Sequence, residues 1–178
     1  MEAFMDVAAS VLASYDQTWA QLRDRLANLD DREYLWEPVA GCWTVRGTAE
    51  GTQADWADPD PIPAPVTTIA WRTWHIAVDA LDSYSRRAFG MSGTGHTGRT
   101  WVSSADEAAA LLRQAVDSFR TSMGRLDAAA LDRRLGASWG DYADHTYLDL
   151  LLHAHREMTH HGAEIALLRD LYHARHDA

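Results

Sequence analysis

"TTIAWRTWHIAVDALDSYSRRAFG", residues 67–90, reads as one helix with a marked start and stop. Trp71, Trp74, His75, Val78 and Leu81 recur at three- and four-residue steps, the spacing of a helix buried along one stripe. Thr67 or Thr68 supplies a capping oxygen at the front, and Gly90 suits the left-handed residue that ends a helix. A histidine inside that stripe should point inward, and the question is what it meets there.

Three more segments carry the same period. In the first, Phe4, Val7, Ala8, Val11, Leu12, Tyr15, Trp19, Leu22, Leu26 and Leu29 predict a helix on the order of 40 Å long at about 1.5 Å per residue. The third opens on Ser104-Ala-Asp-Glu107, the pattern of a capping box in which serine and glutamate each satisfy a free backbone amide. Its core face is Ala108, Leu111, Leu112, Ala115, Phe119, Met123 and Leu126. The fourth spans about Asp144 or Thr146 to about Tyr172, with Tyr147, Leu150, Leu151, Ala154, Met158, His161, Ile165, Leu168 and Tyr172 facing in.

Between helices one and two, residues 37–65 ("EPVAGCWTVRGTAEGTQADWADPDPIPAP") are rich in proline and glycine, which predicts a long ordered loop without strands. Four amphipathic helices and no period-2 pattern predict an all-α four-helix bundle, one domain over residues 1–178.

Composition limits the partners. Sixteen basic residues against 26 acidic ones give a net charge of −10, which disfavours nucleic acid and anionic membrane surfaces. The single cysteine, Cys42, excludes an intramolecular disulfide and fits a reducing cytoplasm. The first residues carry acids instead of a basic leader, and no apolar run nears the roughly 20 residues of a membrane span. A soluble cytoplasmic protein is the expectation.

"HAHREMTHHGAEIALLRDLY", residues 153–172, gathers four histidines and two glutamates on helix four. Residues four apart on a helix lie about 40° around and about 6 Å along, so Glu157 and His161 share a face and can converge on one ion. His153 extends the stripe but sits about 12 Å along the axis from His161, too far for both to bind one metal. His75, the only histidine outside helix four within an apolar stripe, is the natural third donor.

The alternatives are structural. His75 can be a hydrogen-bonded core residue, and an inward Glu157 can pair with Arg72 or Arg156. His160 can replace His161 at three-residue spacing. Glu164 is expected just outside the ligands or paired with His160, and Asp79 to orient the His75 ring, serve as a pocket acid or be solvated. His153 is expected at the pocket rim, His155 in solvent, and His96, His145, His173 and His176 on the surface or in loops. Tyr15, Trp19, Trp36, Trp71 and Trp74 are either pocket walls or core, and the long loop can cover the site.

Other motifs are weaker. "GMSGTGHTGR", residues 90–99, lacks the Gly-Lys-Ser/Thr ending of a phosphate loop and reads as a flexible connection. Cys42 has nothing beside it to activate a thiolate, and no Gly-x-Ser-x-Gly elbow occurs.

"TTIAWRTWHIAVDAL" followed by "REMTHHGAEIALLRDLY", together with "YLWEPVAGCWTVR" after helix one, resembles the DinB family of metal-binding four-helix bundles over nearly the whole chain. The resemblance implies one histidine from helix two and a pair four apart on the last helix as metal ligands, here His75, Glu157 and His161. Most members carry histidine at both helix-four positions. The glutamate at 157 is similar to relatives of the type of mycothiol-dependent maleylpyruvate isomerase.

Two imidazoles and a carboxylate leave at least one coordination position open, the arrangement of a catalytic rather than a closed zinc site. Zinc is the first expectation, with nickel or iron also suited. A thiol entering that position is deprotonated near neutral pH. The resemblance then implies a thiol S-transferase or isomerase that uses a small thiol such as mycothiol on a small electrophile. A metal-dependent hydrolase, a non-haem iron enzyme, or a non-enzymatic metal-binding homodimer are the alternatives.

Overall fold

The computed structural model describes residues 7–59 and 61–176. Phe4, expected on the first helix stripe, lies outside them. Helix α1 spans Val7–Leu26 and buries Tyr15, Leu22 and Leu26. It stops short of Leu29 because Asn28 takes a left-handed conformation (φ 58°), so Leu29 is buried from the turn and not from the helix. A one-turn helix, α2 (Asp31–Tyr34), follows, capped by Asp30, which accepts from the Glu33 amide.

Residues 37–65 contain strands, against the expectation. β1 (Val45–Thr48) pairs antiparallel with β2 (Gly51–Ala54) in the register Val45↔Ala54 to Thr48↔Gly51, leaving Ala49 and Glu50 as the turn. The Thr48 hydroxyl donates to Gly51 O at 2.8 Å and accepts from the Glu50 amide at 3.2 Å. Each strand is four residues long, contains a glycine and buries only one residue, Val45 or Ala54, so neither shows the alternation that marks a strand in sequence.

The rod that follows is one continuous helix in three parts: α3 (Ile69–Trp74), a π-helical run (His75–Asp82) and α4 (Ser83–Phe89). Backbone angles stay right-handed across both junctions. Thr68 is the cap, accepting from the Trp71 amide at 3.3 Å, and its own hydroxyl donates to Thr44 at 2.8 Å. Gly90 ends the rod at φ 63°, which a side chain rarely adopts.

The "GMSGTGHTGR" connection is tethered, not flexible. The Thr94 amide donates to Asp82 Oδ1 at 2.9 Å, and the Trp74 indole donates to Gly98 O at 3.1 Å. A Cβ at Gly93 would overlap the Asp82 carboxylate, which is buried and pairs with Arg86 at 2.6 Å.

α5 (Ala105–Met123) starts after Ser104, but the serine makes no capping bond; the Asp31 carboxylate accepts from the Ala105 amide at 2.7 Å instead. The reciprocal box stands elsewhere. The Asp149 amide donates to the Thr146 hydroxyl (3.1 Å), and the Thr146 amide donates back to Asp149 (2.8 Å), at the start of α7 (Tyr147–His176). Before it come α6 (Ala128–Leu131) and a 3-10 turn (Ala137–Tyr142). α7 runs four residues past Tyr172.

The described chain is mostly helical. α1 packs on α7, the π-helical run packs on α5 and α7, and α3 touches both. Trp74, Trp101, Tyr15, Tyr34, Phe119, Ile76, Leu112, Leu151 and Met158 fill the space between them. A buried pair, Arg169 with Glu33, ties α7 to α2: Nε and Nη2 donate to the two carboxylate oxygens at 2.7 and 3.0 Å, and Nη1 donates to Ala27 O at 2.9 Å. Among the described residues, no helix is long and apolar enough to cross a membrane.

Candidate metal centre

Two elements deliver the candidate ligands. His75 opens the π-helical run, held by the Trp71 ring stacked on it at 5.2 Å and 10°. Trp71 is itself fixed, because its indole donates to Asp55 O at 2.8 Å on the far side of the hairpin. Glu157 and His161 lie one turn apart on α7, with His161 buried between Met158 and Ile165.

His75 Nε2 and His161 Nε2 stand 3.3 and 3.2 Å from the same atom, Glu157 Oε2. The rings are perpendicular (89°) with centroids 4.6 Å apart. Donor atoms of the three residues all lie within 4.8 Å of one another.

Those spacings suit a chelate as well as hydrogen-bonded ion pairs. A charge-assisted N–H···O bond closes to about 2.7–2.9 Å, and the outer contacts of the same rings approach that. His161 Nδ1 lies 2.7 Å from Glu164 Oε2, and His75 Nδ1 lies 3.0 Å from Asp79 Oδ2. The inner contacts are longer. Donors about 2.0–2.2 Å from a tetrahedral ion stand roughly 3.3–3.6 Å from each other, close to the separations at Glu157. Each ring thus turns Nε2 toward the centre; His161 Nδ1 meets Glu164 and lies 3.2 Å from Arg72 Nη1, whereas His75 Nδ1 lies beside the Asp79 carboxylate without an aligned hydrogen bond. The residues fit a divalent transition ion.

Without an ion, the same three side chains hold one another by charge. The hydrogen bonds from His161 and His75 hold the Glu157 carboxyl well below the usual carboxylate range against the opposing effect of partial burial. Burial alone would push His75 down, but Asp79 and Glu157 outweigh it and raise the ring to about 9. Burial lowers His153. Glu164 is lowered, with His161 and Arg72 overcoming its desolvation.

The alternatives from sequence resolve in part. Arg72 pairs with Glu164 (2.8 Å), and Arg156 reaches His153, so neither arginine pairs with Glu157. His160 lies 3.4 Å from Glu164, four residues along, not on Glu157. His160, His161 and Glu164 form a second group of suitable spacing, but His160 is mostly exposed and Glu164 is already shared by Arg72 and His161. His153 sits 3.5 Å from Glu157 Oε1. His155 is half-buried rather than free in solvent: Nε2 meets Thr18 Oγ1 at 2.9 Å and Ser14 Oγ at 3.3 Å, joining α7 to α1.

Of the five aromatics, Trp71 and Trp74 flank His75, and Trp19 packs partly buried against the core. Tyr15 packs against Phe119 in the core, and Trp36 lies against Tyr172 and His176, near the other end of α7. Trp56, from the loop, stacks on Trp43 and meets Trp74, so the loop does pack beside the site.

A cavity of about 550 Å³ lies next to this centre; Asp79 and His153 line it as the sequence allowed, while Tyr84, Arg87, Trp139 and Arg156, also in its wall, were not foreseen. The 3-10 turn that brings Trp139 carries no periodic signal. The inward Arg169 was legible in principle, four residues after Ile165 on the buried stripe of α7.

The sequence profile of the DinB superfamily matches residues 14–165. The chain belongs to the DinB superfamily. Its match takes in both segments that carry the DinB candidate ligands. A conserved protein from Enterococcus faecalis, known from its crystal structure, is similar in fold at a TM-score of 0.58 and 14% identity, over 97% of this chain and 100% of that one. No curated protein matches the chain.

Proposed function

We propose that this chain is a single-domain DinB four-helix bundle that binds a divalent ion, zinc first, through His75, Glu157 and His161 and acts as a thiol S-transferase or isomerase. The carrying observation is that two Nε2 atoms from separate elements share one Glu157 oxygen at 3.2–3.3 Å. A bound zinc ion would supply Lewis acidity that favours the thiolate form of a small thiol such as mycothiol. The chain's own groups do the rest: Asp79 and Glu164 orient the imidazoles, and the anionic Glu157 lowers the positive charge of the centre. The cavity beside His153 and Asp79 gives an electrophile room to approach.

The same donor set, two histidines and one carboxylate, is that of non-haem iron enzymes, which makes an iron enzyme the second reading; a hydrolase would use the same vacancy for water. Exposed Leu167 and Leu171 on α7 suit a homodimer face, and a metal-binding dimer without catalysis is the non-enzymatic reading. A cytoplasmic setting fits one buried cysteine.

Metal analysis of chelator-free protein, followed by incubation with a panel of thiols and electrophiles, tests the proposal with Glu157→Ala as control. One equivalent of zinc and thiol transfer, both lost in the variant, are expected. A variant that retains its metal ends the ligand assignment.

A further inference from the structure

The cavity beside the metal centre has walls of unequal chemistry. Its floor is a row of rings: Trp139 to Tyr84 at 6.2 Å between centroids, then Tyr84 to His153 at 5.7 Å. A guanidinium stands at each end of the row. Arg87 lies over Trp139 at 4.0 Å and donates to Ser138 O at 3.1 Å. Arg156 donates to His153 Nδ1.

Each guanidinium has five N–H donors, so both keep most of theirs. Neither forms an ion pair with a carboxylate among the described residues. The acids of the same wall are already engaged, Asp79 by His75 and Asp149 by the Thr146 amide and hydroxyl. In a chain of net charge −10, two arginines without a carboxylate partner thus flank one aromatic floor.

We propose that this cavity binds a small organic carboxylate, its acid group held by Arg87 or Arg156 and its apolar or aromatic body laid on Tyr84 and Trp139. A planar carboxylate matches the guanidinium fork, and the rings offer a face for a flat body. Asp79 and His153, in the same wall, each touch a candidate metal ligand, so a ligand seated here lies beside the centre. This names the substrate class of the proposed enzyme and rests on that reading only for what happens after binding.

The test compares benzoate with the neutral benzamide by calorimetry at low salt, on protein as isolated and after dialysis against EDTA. Benzoate should bind at least about tenfold more tightly than benzamide in both forms. Of Arg87→Met and Arg156→Met, both at exposed positions, the one that removes the carboxylate's partner should weaken benzoate about tenfold, and neither should change benzamide binding or the metal content. Equal binding of the two probes, no binding of benzoate, or discrimination that both variants retain overturns the proposal. So does a preference that disappears with the metal, because the carboxylate was then on the ion. A chain that holds no metal yet still prefers benzoate keeps the cavity assignment and defeats the metal reading; the converse result does the reverse.

Discussion

In the metal-free protein His75 should carry a proton at neutral pH, and any ion that takes Nε2 must displace it. With the ring at about 9, removing that proton at pH 7 costs about two units of about 1.36 kcal/mol each. That is close to 3 kcal/mol, or a factor of about 100 in apparent affinity. Apparent zinc affinity should therefore rise about tenfold per pH unit from 7 and level off near 9. Competition with a chromophoric chelator across pH 6–10 measures this, and calorimetry in two buffers of different ionisation enthalpy counts the proton released. Asp79→Asn removes the carboxylate beside Nδ1, so the bend should move toward 7 while the plateau falls about 10- to 100-fold through loss of ring orientation. The stability of the metal-free fold follows the same group. A folded pKa raised above 6.5 gives stabilisation that is full below about 6.5 and is lost as pH climbs through about 9. An affinity that stays flat from pH 7 to 9, with no proton released, would refute the reasoning.

Arg169→Met should cost about 3–5 kcal/mol in urea unfolding, since it leaves the buried Glu33 carboxylate with only the half-exposed His173 ring at 3.4 Å, whereas the double variant with Glu33→Met should recover most of the loss; a single variant within 1 kcal/mol of wild type contradicts this. Gly93→Ala should lower stability by about 1–3 kcal/mol by displacing Asp82 from Arg86, and a silent substitution would show that the connection yields. The Trp71 ring stacked on His75 makes the titration visible: fluorescence should rise as the imidazolium loses its proton near 9, and Trp71→Phe should abolish that step.

The long helices were readable because burial repeats every three or four residues and because Thr68 and Gly90 act on their own neighbours. What escaped was decided at long range or by short elements. Ser104 sits at the cap position that its pattern predicts, yet Asp31, brought in by α2, takes the amide. The hairpin at 45–54 is too short to alternate, and its place is set by Trp43 bonding across to Val66 and Thr68. At the centre, the four-residue spacing of Glu157 and His161 was local and visible, while Asp79 on Nδ1 and the Trp139 wall depend on how separate segments pack. The π-helical run has the same apolar pattern as an α-helix and leaves no trace in composition.

That run fixes the angular phase between the two halves of the rod. Hydrogen bonds to the fifth residue accommodate surplus chain, so deleting one residue between 76 and 81 would let the rod relax to ordinary α geometry with Tyr84 and Arg87 near their present phase. If the run instead tightened to ordinary α geometry with all its residues kept, everything after it would swing by about 100°, carrying Tyr84 and Arg87 off the cavity wall while His75 kept its place. The widened turns work as a gear between metal grip and cavity lining, and a change in their number would retune what the protein accepts without touching what holds the ion.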